Sequence, residues 1–151
     1  RPGDNPRVDA QFSAQYCVAN ALVRGASLLT HFRVAEIAAP EVQRLIGRIT
    51  CVGDPALDAR GHSAVDVIIR TTGGVTHQRQ LDIAPGYPGN TLSDEEHLGR
   101  FQACMDYARY PLPREQVDHF LAAIQAWGEL ADARRLLDDL IVPNLEVSAL
   151  S

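Results

Sequence analysis

No stretch of this chain approaches the roughly 20 consecutive apolar residues that span a bilayer, and no charged-then-apolar leader opens it. A membrane protein is thereby disfavoured, and a soluble, cytoplasmic one is expected. The three cysteines, Cys17, Cys51 and Cys104, stand far apart with no CxxC pair. That spacing excludes a disulfide framework or a thiolate metal site, and the apolar neighbours make them reduced core residues. His31, His62, His77, His97 and His119 form no HxH or HxxxH grouping, so no metal is expected. A phosphate-cradling glycine loop with its lysine is missing, as is a GxSxG elbow. Positive charge is short as well. A net charge of −5 and a pI near 5.4 give no pull towards nucleic acid or an anionic membrane.

What is present is the composition of a folded domain, with 46% hydrophobic and 22% charged residues over a length sufficient for one core. The chain opens on Arg1 in a loop-like RPGDNP stretch, which points to a fragment or a processed subunit. Residues 7–25, RVDAQFSAQYCVANALVRG, read as one amphipathic helix. Phe12, Tyr16, Ala19 and Val23 recur at helical spacing as a buried stripe, while Arg7, Ser13 and Gln15 crowd the amino end. Unpaired amides and the positive end of the helix dipole make such an end a seat for a carboxylate or phosphate. The alternative is ordinary capping, with Asp9 or Ser13 satisfying those amides.

Pro40 suits the first turn of a second helix whose buried face is Val42, Leu45 and Ile46, ending near Gly47. Residues 49–52 are short and β-branched and predict a strand. The clearest β signal is residues 64–83, two alternating runs around Gly73-Gly74, a pair able to take the positive φ of a hairpin turn. The segment Pro85-Gly86-Tyr87-Pro88-Gly89-Asn90 interrupts regular structure. Ser93 with Glu96 then forms a capping box at the start of a helix to about residue 108, carrying Leu98, Phe101 and Met105 on one side. Val117, Phe120, Leu121, Ile124 and Trp127, followed by Leu130, Leu136, Leu137, Leu140 and Ile141, predict a helical hairpin broken near Gly128. The fold class is therefore α+β: a small antiparallel sheet with flanking helices, then a C-terminal helical hairpin.

The segments DAQFSAQYCVANALVRG, APEVQRLIGRITCVGDP and GYPGNTLSDEEHLGRF, in this order and with a hairpin before the last, resemble the carboxy-terminal part of the MmgE/PrpD family. The FSxQYxxAxAL and GxPxNxLS patterns carry the likeness, which runs from about Pro6 to Ile141. That family includes 2-methylcitrate dehydratase, cis-aconitate decarboxylase and iminodisuccinate epimerase. The resemblance implies an α+β lid-like domain over residues 1–112, and over 113–151 helices that pack on a large all-helical domain or subunit. It also implies a cleft site without metal or organic cofactor, a homodimer or hetero-assembly, and an apolar surface along Phe120, Ile124, Leu136 and Leu140.

The implied function is a part of a cofactor-independent lyase or isomerase. Its substrate would be a small di- or tricarboxylate, dehydrated, hydrated or epimerised next to a carboxylate. The alternative is a non-catalytic lid-like domain that binds a carboxylate ligand or a partner protein. Residue by residue, Arg7 falls where cis-aconitate decarboxylases have an active-site lysine, and Ser13, Gln15 and Tyr16 match the family pattern, so these four are the substrate-binding candidates. Phe12 replaces the lid histidine of those decarboxylases and Gly53 stands near their tyrosine, both against decarboxylation. Asn90-Thr91 replaces asparagine-proline, and Arg100 replaces the lysine before Phe101. The catalytic residues themselves are unassigned.

Overall fold

The computed structural model describes residues 4–142, and the chain forms two compact units, residues 1–98 and 99–151. Helices and a two-stranded antiparallel sheet give the expected α+β class.

In the first unit the segment read as one helix is two. Helix α1 (Pro6–Gln11) ends at Phe12, and α2 (Ala14–Arg24) begins after Ser13. The break has a local cause. Ser13 adopts an extended backbone and its Oγ accepts from the Tyr16 N–H at 3.1 Å, so the side chain competes with helix continuation and starts a new helix. The change of direction divides the predicted stripe. Tyr16 and Ala19 are buried, but Phe12 is 87% exposed and Val23 is also on the surface.

Ala10, Tyr16, Ala19 and Val42 form the core of this unit, with Phe32, Ile37, Leu45, Ile46 and Ile49 packed around them. Helix α3 (Val34–Ile37) and helix α4 (Pro40–Ile46) supply much of that packing, and the Tyr16 and Phe32 rings lie tilted at 5.4 Å. Helix α4 starts at Pro40 and stops at Gly47, as its sequence predicts. The expected strand at 49–52 does not form. Ile49 packs on the core, no strand edge lies alongside, and Val52 is exposed, after which Asp54 caps a short turn through the Ala56 N–H at 2.9 Å.

Strands β1 (Val65–Arg70) and β2 (Thr76–Leu81) pair antiparallel, with Val65 opposite Leu81 and Arg70 opposite Thr76. The turn is a three-residue loop. The Gly74 N–H bonds to the Thr71 carbonyl at 3.0 Å and the Thr71 N–H to that of Val75 at 2.9 Å, with Gly74 at φ 81°. Of the two glycines, this one takes the left-handed position that such a loop requires. Arg60 fastens the base of the hairpin, donating to Asp82 at 2.7 Å and to Asp66 at 2.6 Å. Its guanidinium, with help from Gln80, holds the Asp66 carboxyl below its ordinary value.

A turn at Tyr87-Pro88-Gly89-Asn90 follows, closed by the Asn90 N–H on the Tyr87 carbonyl at 2.9 Å. Gly89 sits at φ 93°, and a Cβ there would stand 3.1 Å from Ile83 Cδ1. The capping box at Ser93 and Glu96 is reciprocal, at 2.8 and 3.2 Å, and opens helix α5 (Asp94–Tyr107).

In the second unit Val117 and Phe120 of helix α6 (Arg114–Gln125) are buried, and the Phe120 ring stacks on Phe101 at 5.9 Å. The expected hairpin has unequal arms, because after a tight turn at Trp127–Glu129 the returning helix α7 (Arg135–Asp138) is a single turn. Gln116 joins the arms by donating to the carbonyls of Asp139 and Ile141 at 2.7 and 2.8 Å. The anticipated apolar surface is present at Ile124 and Leu140, while Leu136 is half-buried and Phe120 is internal because Phe101 covers it. The cysteines depart from expectation too. Cys51 and Cys104 are exposed, since one lies in the segment where the strand does not form and the other on the outer side of α5. Cys17 alone is half-buried, and burial pushes its thiol up.

Candidate active-site recess

The junction of α1 and α2 borders an open recess of about 500 Å³ lined by Pro6, Asp9, Ala10, Phe12, Ser13, Gln15, Tyr16, Ile37, Gln43 and Ile46. Three of the four sequence candidates meet there. Ser13 lines it, accepting from the Tyr16 N–H and donating to Gln15 Oε1 at 3.5 Å. The amides of Ala14 and Gln15, at the first two positions of α2, have no acceptor within the helix, and the positive end of an 11-residue helix adds to their field.

Arg7 is placed differently. It is exposed on α1, whose lining residues Pro6, Asp9 and Ala10 share the face turned to the recess, and Arg7 is not among the lining residues. The acid of that helix, Asp9, lines the wall instead. The chain carries no lysine, so any fixed cation that it brings to a ligand is an arginine.

Tyr16 lines the recess although only 2% exposed, and its hydroxyl donates to the backbone carbonyl of His31. Burial raises the tyrosine above its ordinary value, with Arg24 opposing. Behind the ring lies a polar network that sequence reading does not anticipate. Asn20 is completely buried, donates to Ser27 Oγ at 3.1 Å, and contacts His31 Nδ1 at 3.3 Å. Its carbonyl accepts from Arg24, which also binds Glu36 through an ion pair of 2.8 Å and the Glu36 carbonyl at 3.1 Å. Because the Leu28 N–H donates to His31 Nδ1 at 3.2 Å, that nitrogen is an acceptor, and the neutral ring carries its proton on Nε2. The one available signal was an asparagine among the apolar positions of α2, four residues before an arginine.

In the second unit His119 Nδ1 meets Asp139 Oδ1 at 2.8 Å, an imidazole–carboxylate pair that the scattered histidines gave no reason to expect. The pair joins α6 to the end of α7 across 20 residues, with the imidazole on the surface. No cluster of three or more metal-ligating side chains occurs among the described residues. No helix there is long and apolar enough to cross a membrane.

Curated proteins give no match to the chain. The model of the MmgE/PrpD C-terminal domain matches residues 3–129, spanning the recess, the hairpin and the GYPGN turn, and the chain therefore belongs to the MmgE/PrpD family.

Proposed function

We propose that this chain is the lid portion of a cofactor-independent lyase or isomerase acting on a small di- or tricarboxylate, with the α1–α2 recess as its share of the substrate site. The lid runs to residue 112, and the helices from residue 113 return to an all-helical domain or subunit that supplies the remaining walls. Dehydration, hydration or epimerisation next to a carboxylate builds negative charge at carbon. The chemistry calls for donors aimed at the carboxylate and for a proton-transferring group near the reacting carbon.

One observation carries this reading: Ser13 and Gln15 at the start of α2 line the recess, and the Gln15 amide is unpaired inside the helix. A substrate carboxylate seats on the backbone amide of Gln15, with Ser13 and the Gln15 side chain at its flanks. Tyr16 provides an apolar wall, and Arg7 approaches from the exposed side of α1. The Asp9 carboxylate repels a second anion from the α1 wall, so the ligand's charge is directed to the α2 end. Phe12, standing out at the rim, presents an apolar surface where the decarboxylases of the family carry a histidine, which favours hydration or epimerisation over decarboxylation.

The test is a thermal-shift screen of the protein carrying both the lid and the helical domain against small di- and tricarboxylic acids, repeated with Arg7→Ala and Gln15→Ala. Stabilisation by a subset of these acids, weakened in both variants at unchanged intrinsic melting temperature, supports the reading. No stabilisation by any, or equal stabilisation of wild type and Gln15→Ala, removes the recess from the site, and an unchanged response in Arg7→Ala removes Arg7 from it.

A further inference from the structure

Alone among the histidines of the first unit, His31 is half-buried, in the short helical turn Leu29–Phe32. Its Nδ1 meets two donors, the Leu28 N–H at 3.2 Å and Asn20 Nδ2 at 3.3 Å. Its main chain is held as well, the N–H donating to the Leu28 carbonyl at 3.0 Å and the carbonyl accepting from the Tyr16 hydroxyl. Side chain and backbone of one residue thus fasten this turn to the residue before it and to α2.

Neither donor can become an acceptor. A backbone N–H has no lone pair to offer, and the Asn20 amide is oriented by its other partners. Its Nδ2 donates to Ser27 Oγ at 3.1 Å and to the Ala26 carbonyl at 3.4 Å, while its Oδ1 accepts from Arg24. Turning the amide over would set its NH2 against the guanidinium and its oxygen against the Ala26 carbonyl, at a position fully shielded from water. An imidazolium carries a proton on both nitrogens, so a charged His31 aims a third donor at these two. The titratable and charged groups of the elements around it are Tyr16 and Arg24 of α2, Glu36 of α3, Arg7 and Asp9 of α1, and Arg33 beside the turn. Arg24 adds positive charge behind Asn20, and Glu36 is already engaged by Arg24 at 2.8 Å.

We propose that His31 is a proton-operated latch between α2 and the Leu29–Phe32 turn, closed while the ring is neutral and opened when Nδ1 takes up a proton. The opening follows from the count of donors. With Nδ1 protonated, the Leu28 N–H and the Asn20 amide lose their acceptor, the turn detaches, and the His31 carbonyl leaves the Tyr16 hydroxyl. Tyr16 lines the recess, so that wall is held at neutral pH and loosened in mild acid. The contacts accept the neutral ring alone. They are therefore complete on the alkaline side of the histidine range and are lost as pH falls through it. The latch concerns the wall of the recess and not what the recess binds, and its test needs no ligand.

The experiment is an NMR titration of the isotope-labelled 151-residue chain from about pH 7.5 to about pH 5, as wild type and as His31→Asn. Asparagine Oδ1 stands as many bonds from the backbone as Nδ1 and accepts a hydrogen bond without taking up a proton. Wild type is expected to show an unprotonated Nδ1 at the upper pH. On acidification the protection factors of the Leu28 and His31 amides fall by about tenfold as the ring charges, and the Tyr16 ring resonances move with them. The Phe120 amide in the second unit keeps its protection, and in His31→Asn all three reporters hold constant. A proton on Nδ1 at the upper pH, or a ring that charges while the Leu28, His31 and Tyr16 signals stay in place, overturns the proposal. So does a ring that stays neutral throughout, and wild type alone decides these three. An equal loss in His31→Asn overturns it as well, assigning the change to the carboxylates of Glu36 or Asp9.

Discussion

The Tyr16 hydroxyl donates to the backbone carbonyl of His31, linking the first turn of α2 to the loop that follows the helix. Through His31 the bond joins a network in which buried Asn20 bridges Ser27, Arg24 and the imidazole, and Arg24 reaches Glu36. The wall of the recess is thus held from behind by polar contacts as well as by Phe32 packing. Asn20→Ala removes the acceptor from Arg24 and a donor from Ser27 at a fully buried position. It is expected to lower stability by about 2 kcal/mol, read as a reduced midpoint with unchanged slope in urea unfolding.

Ser13 starts α2, so its loss is a helix-capping loss. Ser13→Ala is expected to lower stability by about 1 kcal/mol, and Ser13→Asp to restore most of it. Thermal unfolding of the three proteins at one concentration checks the order. Equal melting temperatures for wild type and Ser13→Ala would mean that the Tyr16 amide is satisfied in another way.

How much of this was legible in the sequence follows the range of the interactions. Ser93 with Glu96, Pro40 before Val42, and Gly73-Gly74 between alternating runs act over three or four residues, and each produced the element that it predicted. The α+β class followed from them. The break at Ser13 is equally local, but the same residue was compatible with a cap inside a longer helical pattern, and only the burial of Tyr16 with exposure of Phe12 distinguishes the two. Residues 49–52 have strand composition, yet a strand needs an edge to pair with, and composition does not say whether one is near. The recess was half visible. Ser13 and Gln15 were read from the amino end of α2, whereas Ile37, Gln43 and Ile46 come from α3 and α4 by tertiary packing. Asn20 with His31 and His119 with Asp139 lie 11 and 20 residues apart, beyond any spacing rule.

Arg60 ties the hairpin base, and its effect is readable in acid. Its hydrogen bond, followed by that of Gln80, lowers the Asp66 carboxyl, so the ionised carboxylate stabilises the fold above the ordinary aspartate range. That contribution is lost as pH falls from there through the lowered value. Carboxyl titration by NMR is expected to find Asp66 below the ordinary aspartate range and to move it back towards that range in Arg60→Ala. An unmoved titration in the variant would assign the shift to another cause.

Gly89 combines a left-handed φ of 93° with a Cβ position 3.1 Å from Ile83 Cδ1. Gly89→Ala is expected to cost about 1–2 kcal/mol through backbone strain and displacement of Ile83. At Gly128, where φ is not left-handed and nothing stands within 4 Å of the added Cβ, alanine is expected to be nearly neutral. Chemical denaturation of the two variants side by side checks the contrast.

The placement of an anion on α2 is the claim from which the proposed function follows, and backbone amide shifts report on it directly. Titrating the isotope-labelled chain with a tricarboxylate to millimolar concentration is predicted to move the amide resonance of Gln15 first and furthest, with smaller shifts at Ser13, Phe12 and Gln43. Saturable shifts confined to other helix termini, or none at Gln15 while the surface arginines respond, would contradict it.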